Sequence, residues 1–127
     1  MVLSHGDDLT ERVIGLAIEV HRNLGPGLLE SAYEECLCFE LRQNGIDHTR
    51  QVALPVVYKD VKLECGYRID IVVEKRLVIE IKAVERLMPI HEAQMLTYLR
   101  LSGHKVGLLM NFNSVALKDG LRRLVLG

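Results

Sequence analysis

The segment Tyr67–Val84, YRIDIVVEKRLVIEIKAV, decides how the chain is read. Its apolar residues, Val72, Val73, Leu77, Val78, Ile79, Ile81, Ala83 and Val84, suit strands buried on both faces. Glu74-Lys75-Arg76 is the only polar break and predicts the turn of a β-hairpin. With those residues as the loop, Val73 pairs with Leu77 and Asp70 falls opposite Glu80. Side chains alternate along a strand, so Glu80 and Lys82 share one face while Ile79 and Ile81 take the other. Directly opposed residues stand roughly 5 Å apart at Cβ, where like charges repel. A buried carboxylate pair is costly unless one acid is protonated or a cation neutralises both. Lys82 supplies one positive charge. A divalent metal supplies more, and hard oxygen ligands suit magnesium or manganese. An acid inside a strand ordinarily marks a solvated face or an internal ion pair. Strands this apolar have no wet face, so the D…E-x-K arrangement across a hairpin favours a site.

Upstream, Asp7 or Asp8 caps a first helix that runs to about Leu24, with Leu9, Val13, Leu16, Val20 and Leu24 on one apolar face. Gly25-Pro26-Gly27 ends it. A second helix spans about Leu29 to Gln43, with Ala32, Tyr33, Cys36, Leu37 and Leu41 inward. Glu30 lies in its first turn, where the helix dipole favours an acid by roughly 0.3–1 kcal/mol. Gln51–Lys59 reads as a strand with an edge or bulge at Pro55, and Val61–Cys65 as the next. Downstream, Pro89 opens a third helix that Gly103 closes. Gln94 and Tyr98 are four residues apart on it and share a face. Val106–Asn111 is a short buried strand, and Val115–Leu126 reads as a last amphipathic helix, weakened by Gly120. The order is ααβββαβα: an α/β (α+β) domain with a mixed sheet flanked by helices.

The 127 residues make one domain, 1–127, large enough to bury a core without staples. With 49% hydrophobic and 26% charged residues the chain is globular, and no segment approaches a membrane span. The start MVLSHGDDL lacks a signal pattern, which predicts a cytoplasmic protein. Cys36, Cys38 and Cys65 have no C-x-x-C spacing and read as reduced structural thiols, Cys65 in a strand. Sixteen basic against seventeen acidic residues argue against a free-standing, high-affinity DNA binder. They do not argue against a nuclease, whose acids gather at the metal. His21 and Arg22 end the first helix, where cations are favoured; capping is the first reading and a phosphate contact the second. His91 is read the same way, and His5, His48 and His104 as surface residues.

On these residues the chain resembles the PD-(D/E)XK nuclease superfamily, whose restriction-endonuclease-like core has a helix, a three-stranded antiparallel meander, a second helix and a further strand. Asp70 looks like the motif's aspartate, Glu80-Ile81-Lys82 its E-x-K and Glu30 its helix-borne glutamate. Gln94-x-x-x-Tyr98 is similar to the Q-x-x-x-Y of RecB-like members. Gly27-Leu28-Leu29-Glu30-Ser31-Ala32-Tyr33 resembles the signature of the small bacterial GxxExxY family. Ile69 stands where the superfamily's name has proline. The resemblance implies a magnesium- or manganese-dependent nuclease acting on DNA or RNA, with DNA the first reading. It puts the ion on Asp70, Glu80, the Ile81 carbonyl and Glu30, with Lys82 assisting the water. Gln94 would position Lys82 or the substrate, and Tyr98 would touch or back the phosphate. Such a small chain would gain contact area as a homodimer. The alternative is a non-catalytic module that keeps the fold and binds nucleic acid or protein.

Overall fold

The structure, a computed structural model, describes residues 7–127, so His5 lies outside the described residues. Helix α1, Asp8–Leu24, starts where Asp7 accepts the Thr10 N–H at 2.9 Å. Val13, Ala17 and Val20 are fully or almost fully buried along it. Leu16 is half-buried and Leu24 exposed, because the inward stripe runs through Ala17 and His21 instead. Helix α2, Glu30–Gln43, buries Tyr33, Leu37, Cys38 and Leu41. Full burial of a Leu side chain contributes about 1.5–3 kcal/mol, so this face anchors the helix.

Seven strands follow: β1 His48–Ala53, β2 Val56–Tyr58, β3 Val61–Leu63, β4 Arg68–Val73, β5 Leu77–Lys82, then β6 Val106–Asn111 and β7 Leu121–Val125. Helix α3, Pro89–Ser102, connects β5 to β6. The main sheet has the order β1-β4-β5-β6-β7. Only β5 and β6 are parallel, which a crossover through α3 permits. Helices α1 and α2 cover one face of the sheet through Ile71, Ile79, Ile81, Leu108 and Met110. On the other face α3 packs Met95, Tyr98 and Leu99 against Val72, Val78 and Leu109. The mixed α/β class read from the sequence holds. Among the described residues no helix is long and apolar enough to cross a membrane.

Two expectations change. The strand expected over Gln51–Lys59 breaks at Leu54-Pro55. β1 pairs with β4 directly, and β2 with β3 forms a separate two-stranded hairpin between them. Proline has no N–H for a ladder, and Leu54 gives its own N–H to the Tyr67 carbonyl at 2.9 Å, closing the excursion at its base. Cys65 consequently lies after β3 rather than in a strand. The helix expected over Val115–Leu126 is a single 3₁₀ turn, Leu117–Gly120, followed by β7. Strand β6 is buried almost throughout and would leave a bare apolar edge; β7 pairs with it from Val106–Val125 to Met110–Leu121. The order is therefore ααβββββαββ, apart from the 3₁₀ turn. All three thiols are free. Burial pushes the Cys38 thiol up to about 11, so it stays protonated and inert.

Candidate active site

The hairpin turn forms where the sequence places it. Glu74 and Lys75 take left-handed backbone angles, and the Arg76 N–H closes onto the Val73 carbonyl at 3.0 Å. The β4–β5 ladder then runs through Val73–Leu77, Val72–Val78 and Ile71–Ile79, as the loop length dictates. The next step would set Asp70 against Glu80, and there side chains take over from the backbone. The Asp70 N–H donates to Glu80 Oε2 at 2.8 Å, and the Ile81 N–H donates to Asp70 Oδ2 at 2.8 Å. Strand β1 is irregular at the same level: it pairs Arg50–Ile71 and Val52–Ile69 but skips Gln51, whose φ is +50°. Gln51 turns its amide to the buried Glu34, which Arg50 also grips at 3.0 Å. Ile71 and Val73 belong to the α1/α2 core, whereas Ile69 belongs to the α3 core. Strand β4 thus changes face across Asp70, the kind of local irregularity that re-aims a side chain.

Glu80 is 5% exposed and Asp70 half-buried. Burial first, and the Asp70 charge second, push the Glu80 carboxyl up to about 8. Burial also raises Asp70, against the Ile81 N–H that favours its ionised form. The protein alone therefore keeps a proton in this pair at neutral pH. Among the described residues Asp70 Oδ1 and Glu80 Oε1 accept no hydrogen bond. Two carboxylates with open oxygens that repel one another suit a hard divalent cation; magnesium takes one or two carboxylates and keeps several waters. Among the described residues no three or more His, Cys, Asp or Glu side chains gather as a metal-holding group, so the acidic core is this pair.

Lys82 stands on the same face of β5 as Glu80, and its Nζ donates to Gln94 Oε1 at 3.2 Å. Gln94 Nε2 donates to the Tyr98 hydroxyl at 3.3 Å. An ammonium only donates, so it fixes which end of the Gln94 amide faces it. Tyr98 is 7% exposed, and burial, then the Glu80 charge, raises its phenol, which stays protonated. The pair four residues apart on α3 thus forms a relay that holds the lysine.

Glu30 is exposed and reaches β5 from the other layer, accepting the Ala83 N–H on Oε2 at 3.2 Å, one residue past Lys82. The loop before it explains its placement. Gly25 and Gly27 have φ of +69° and +103°, which L side chains rarely adopt. The buried Tyr33 hydroxyl donates to the Gly25 carbonyl at 2.6 Å and accepts the Leu28 N–H at 3.0 Å. Tyr33 also stacks on Phe112 with centroids 4.6 Å apart. Gly27, Glu30 and Tyr33 therefore make one mechanical unit, where the sequence alone allowed Tyr33 as plain core.

His21 does not cap α1. It is buried beside Phe112, and Nε2 meets the Ser114 carbonyl at 2.7 Å. Arg22 is exposed and paired with Glu19 at 3.6 Å. Neither is joined to Asp70, Glu80 or Lys82. His91 Nδ1 accepts the Met88 N–H at 2.8 Å and caps the start of α3, not an end that favours cations. Sequence reasoning passed over Asn111. This 2%-exposed side chain accepts the Val84 N–H and donates to the Val84 carbonyl, both at 3.0 Å. It prolongs the β5–β6 pairing beyond Lys82 and steadies the chain that Glu30 touches. An asparagine closing an otherwise apolar strand was the available signal.

The sequence model of the PD-(D/E)XK nuclease superfamily matches residues 7–124. No curated protein and no solved structure gives a significant match.

Proposed function

The chain belongs to the PD-(D/E)XK nuclease superfamily, and from that premise we propose that it is a magnesium- or manganese-dependent phosphodiesterase acting on nucleic acid, DNA ahead of RNA. The observation that carries the proposal is the exchange between the half-buried Asp70 and the buried Glu80, whose full ionisation at neutral pH a cation would favour. Asp70, Glu80 and the Ile81 carbonyl would hold the ion, with Glu30 reached directly or through water. When bound, the ion neutralises charge on the phosphodiester and makes water a stronger nucleophile. Lys82, held by Gln94, orients the attacking water and offsets charge on the phosphate oxygens. Tyr98 keeps Gln94 aligned from behind. Within the superfamily, the Gly25–Tyr33 latch supports the likeness to the GxxExxY proteins. The free thiols suit a reducing cytoplasm, and a two-fold homodimer would widen the contact with nucleic acid, which sedimentation reads.

Manganese or magnesium should raise the melting temperature of the wild type and leave that of Asp70→Asn unchanged, by linkage. Metal-dependent cleavage should vanish in Asp70→Asn and Lys82→Ala while both variants stay folded. A metal-induced shift without cleavage of any linear, branched or single-stranded DNA or RNA would leave a non-catalytic binding module. No shift at all would remove the metal site.

A further inference from the structure

Lys82 has two surroundings. One side faces Glu80; the other opens into a cleft of about 630 Å³ between α3 and the base of the β2–β3 excursion. Clefts that take small organic groups fall in the range of roughly 300–1,000 Å³. Its wall is made by Val56, Tyr67, Ile90, Thr97, Tyr98 and Leu101. Tyr67 is 48% exposed and stands edge-on to the buried Tyr98, with centroids 6.2 Å apart and planes at 65°. About half of the Tyr67 side chain stays open, and it lines the cleft, so part of the ring is available to a ligand. Ile90, 70% exposed, forms an apolar lip. The polar groups are few. Gln94 is committed to Lys82 and Tyr98, the Thr97 hydroxyl accepts from Arg100, and His91 uses Nδ1 internally. Away from Lys82, a phosphate or a sugar against these walls would lose its hydration and gain too few hydrogen bonds.

The geometry points to a subsite for an unpaired nucleobase, stacked on Tyr67 in the cleft that begins at Lys82, so that the substrate is single-stranded or locally unpaired nucleic acid. This rests on the phosphodiesterase reading, since Lys82 belongs to both the cleft and the acidic site. A flat ring with a polar edge matches an aromatic wall with a few polar groups at the mouth. A base paired within a duplex cannot reach the cleft unless it is extruded, and extrusion costs least where the base is already unpaired.

The test uses short oligonucleotides, DNA and RNA, single-stranded and fully paired, each carrying one 2-aminopurine at successive positions. Binding is read by anisotropy without metal, and cleavage with manganese. The expected result is binding of the single strand about ten-fold tighter than the duplex, with 2-aminopurine quenched at one position beside the cut. Tyr67→Ala should lose about ten-fold in affinity together with the quench, and Tyr67→Trp should keep both. Tyr67 is half exposed, so equal melting temperatures will show that neither substitution unfolds the chain. Equal affinity for duplex and single strand, with Tyr67→Ala unchanged, overturns the subsite. If cleavage persists in that case, the phosphodiesterase reading stands alone. If nothing is cut but the single strand is bound through Tyr67, the subsite stands and the enzyme reading falls.

Discussion

Asp70 gives its backbone N–H to Glu80 and receives on its own carboxylate the N–H of Ile81, so the two acids replace the ladder bonds that their strands forgo. The arrangement ties a charge problem to the stability of the hairpin. Glu80 has a carboxyl raised from 4.5 to about 8 on folding. The folded chain therefore binds more protons than the unfolded one between those values, and its stability falls as pH rises through that window. In metal-free buffer the wild type should be more stable at pH 5 than at pH 8. Glu80→Gln keeps an oxygen for the Asp70 N–H and cannot ionise. It should exceed the wild type at pH 8 by about 1–3 kcal/mol, with the gap closing toward pH 5. Urea unfolding in chelator at the two pH values measures this; two parallel stability curves would contradict it.

The same protonation reaches into metal binding. An ion that needs both carboxylates ionised must displace the proton the pair holds at neutral pH. Apparent manganese affinity should rise between pH 6 and pH 8, with close to one proton released per ion at pH 7. Calorimetry in buffers of different ionisation enthalpy counts the protons. Binding that is independent of pH would place the ion elsewhere.

The relay from Lys82 through Gln94 to Tyr98 sets a graded series. Gln94→Leu keeps bulk and removes both hydrogen bonds, so it should lower kcat by about 10–100-fold with little change in KM, as expected when a supporting group is lost. Tyr98→Phe fills the same buried space and leaves one amide hydrogen unpaired, so its loss should be only a few-fold. Steady-state cleavage kinetics on one oligonucleotide would rank them. Equal activity of Gln94→Leu and the wild type would end the positioning role.

The hairpin and its acids were legible because a period of two and a three-residue polar break fix register without further information. Helices α1, α2 and α3 were legible from caps and glycine stops. Two elements were not. The β2–β3 excursion depends on Leu54 reaching back to Tyr67, a contact between distant residues that no local pattern encodes. The last strand was masked because Leu117, Leu121 and Leu124 also satisfy a helical period, and only the bare edge of β6 decides between the two. At the site, Asp70, Glu80, Lys82, Gln94 and Tyr98 lie where their spacing puts them. Asn111 shows in the sequence only as a polar residue closing an apolar strand, and the left-handed Gln51 not at all, because both answer to partners on other elements.

Tyr33 gives a separate test of the loop that carries Glu30. Tyr33→Phe keeps the stack on Phe112 but leaves the Gly25 carbonyl and the Leu28 N–H without their partner. The expected cost is about 1–3 kcal/mol. Activity should fall beyond what stability explains, since Glu30 loses its fixed approach to Ala83. Denaturant unfolding and kinetics well below the melting point separate the two effects. A stable variant with full activity would make Tyr33 a packing residue only.

Gly120 and Gly107 test why the chain ends in a strand. A Cβ at Gly120 would stand 2.5 Å from the Asn111 carbonyl oxygen and 2.4 Å from Ser114 Oγ, and the backbone atom cannot step aside without moving the turn into β7. A Cβ at Gly107 would meet the Met95 side chain first, at 2.4 Å from Sδ, and a flexible thioether can swing away. Gly120→Ala should therefore destabilise the protein by more than the roughly 1–3 kcal/mol typical of overpacking, and Gly107→Ala by about that amount or less. Because Asn111 also holds Val84, the Gly120 substitution should loosen the end of β5 and depress activity, whereas Gly107→Ala should leave activity near that of the wild type. Melting temperatures of the two variants, read beside their cleavage rates, decide it; the reverse order would mean that the turn before β7 yields more easily than the packing of α3 on β6.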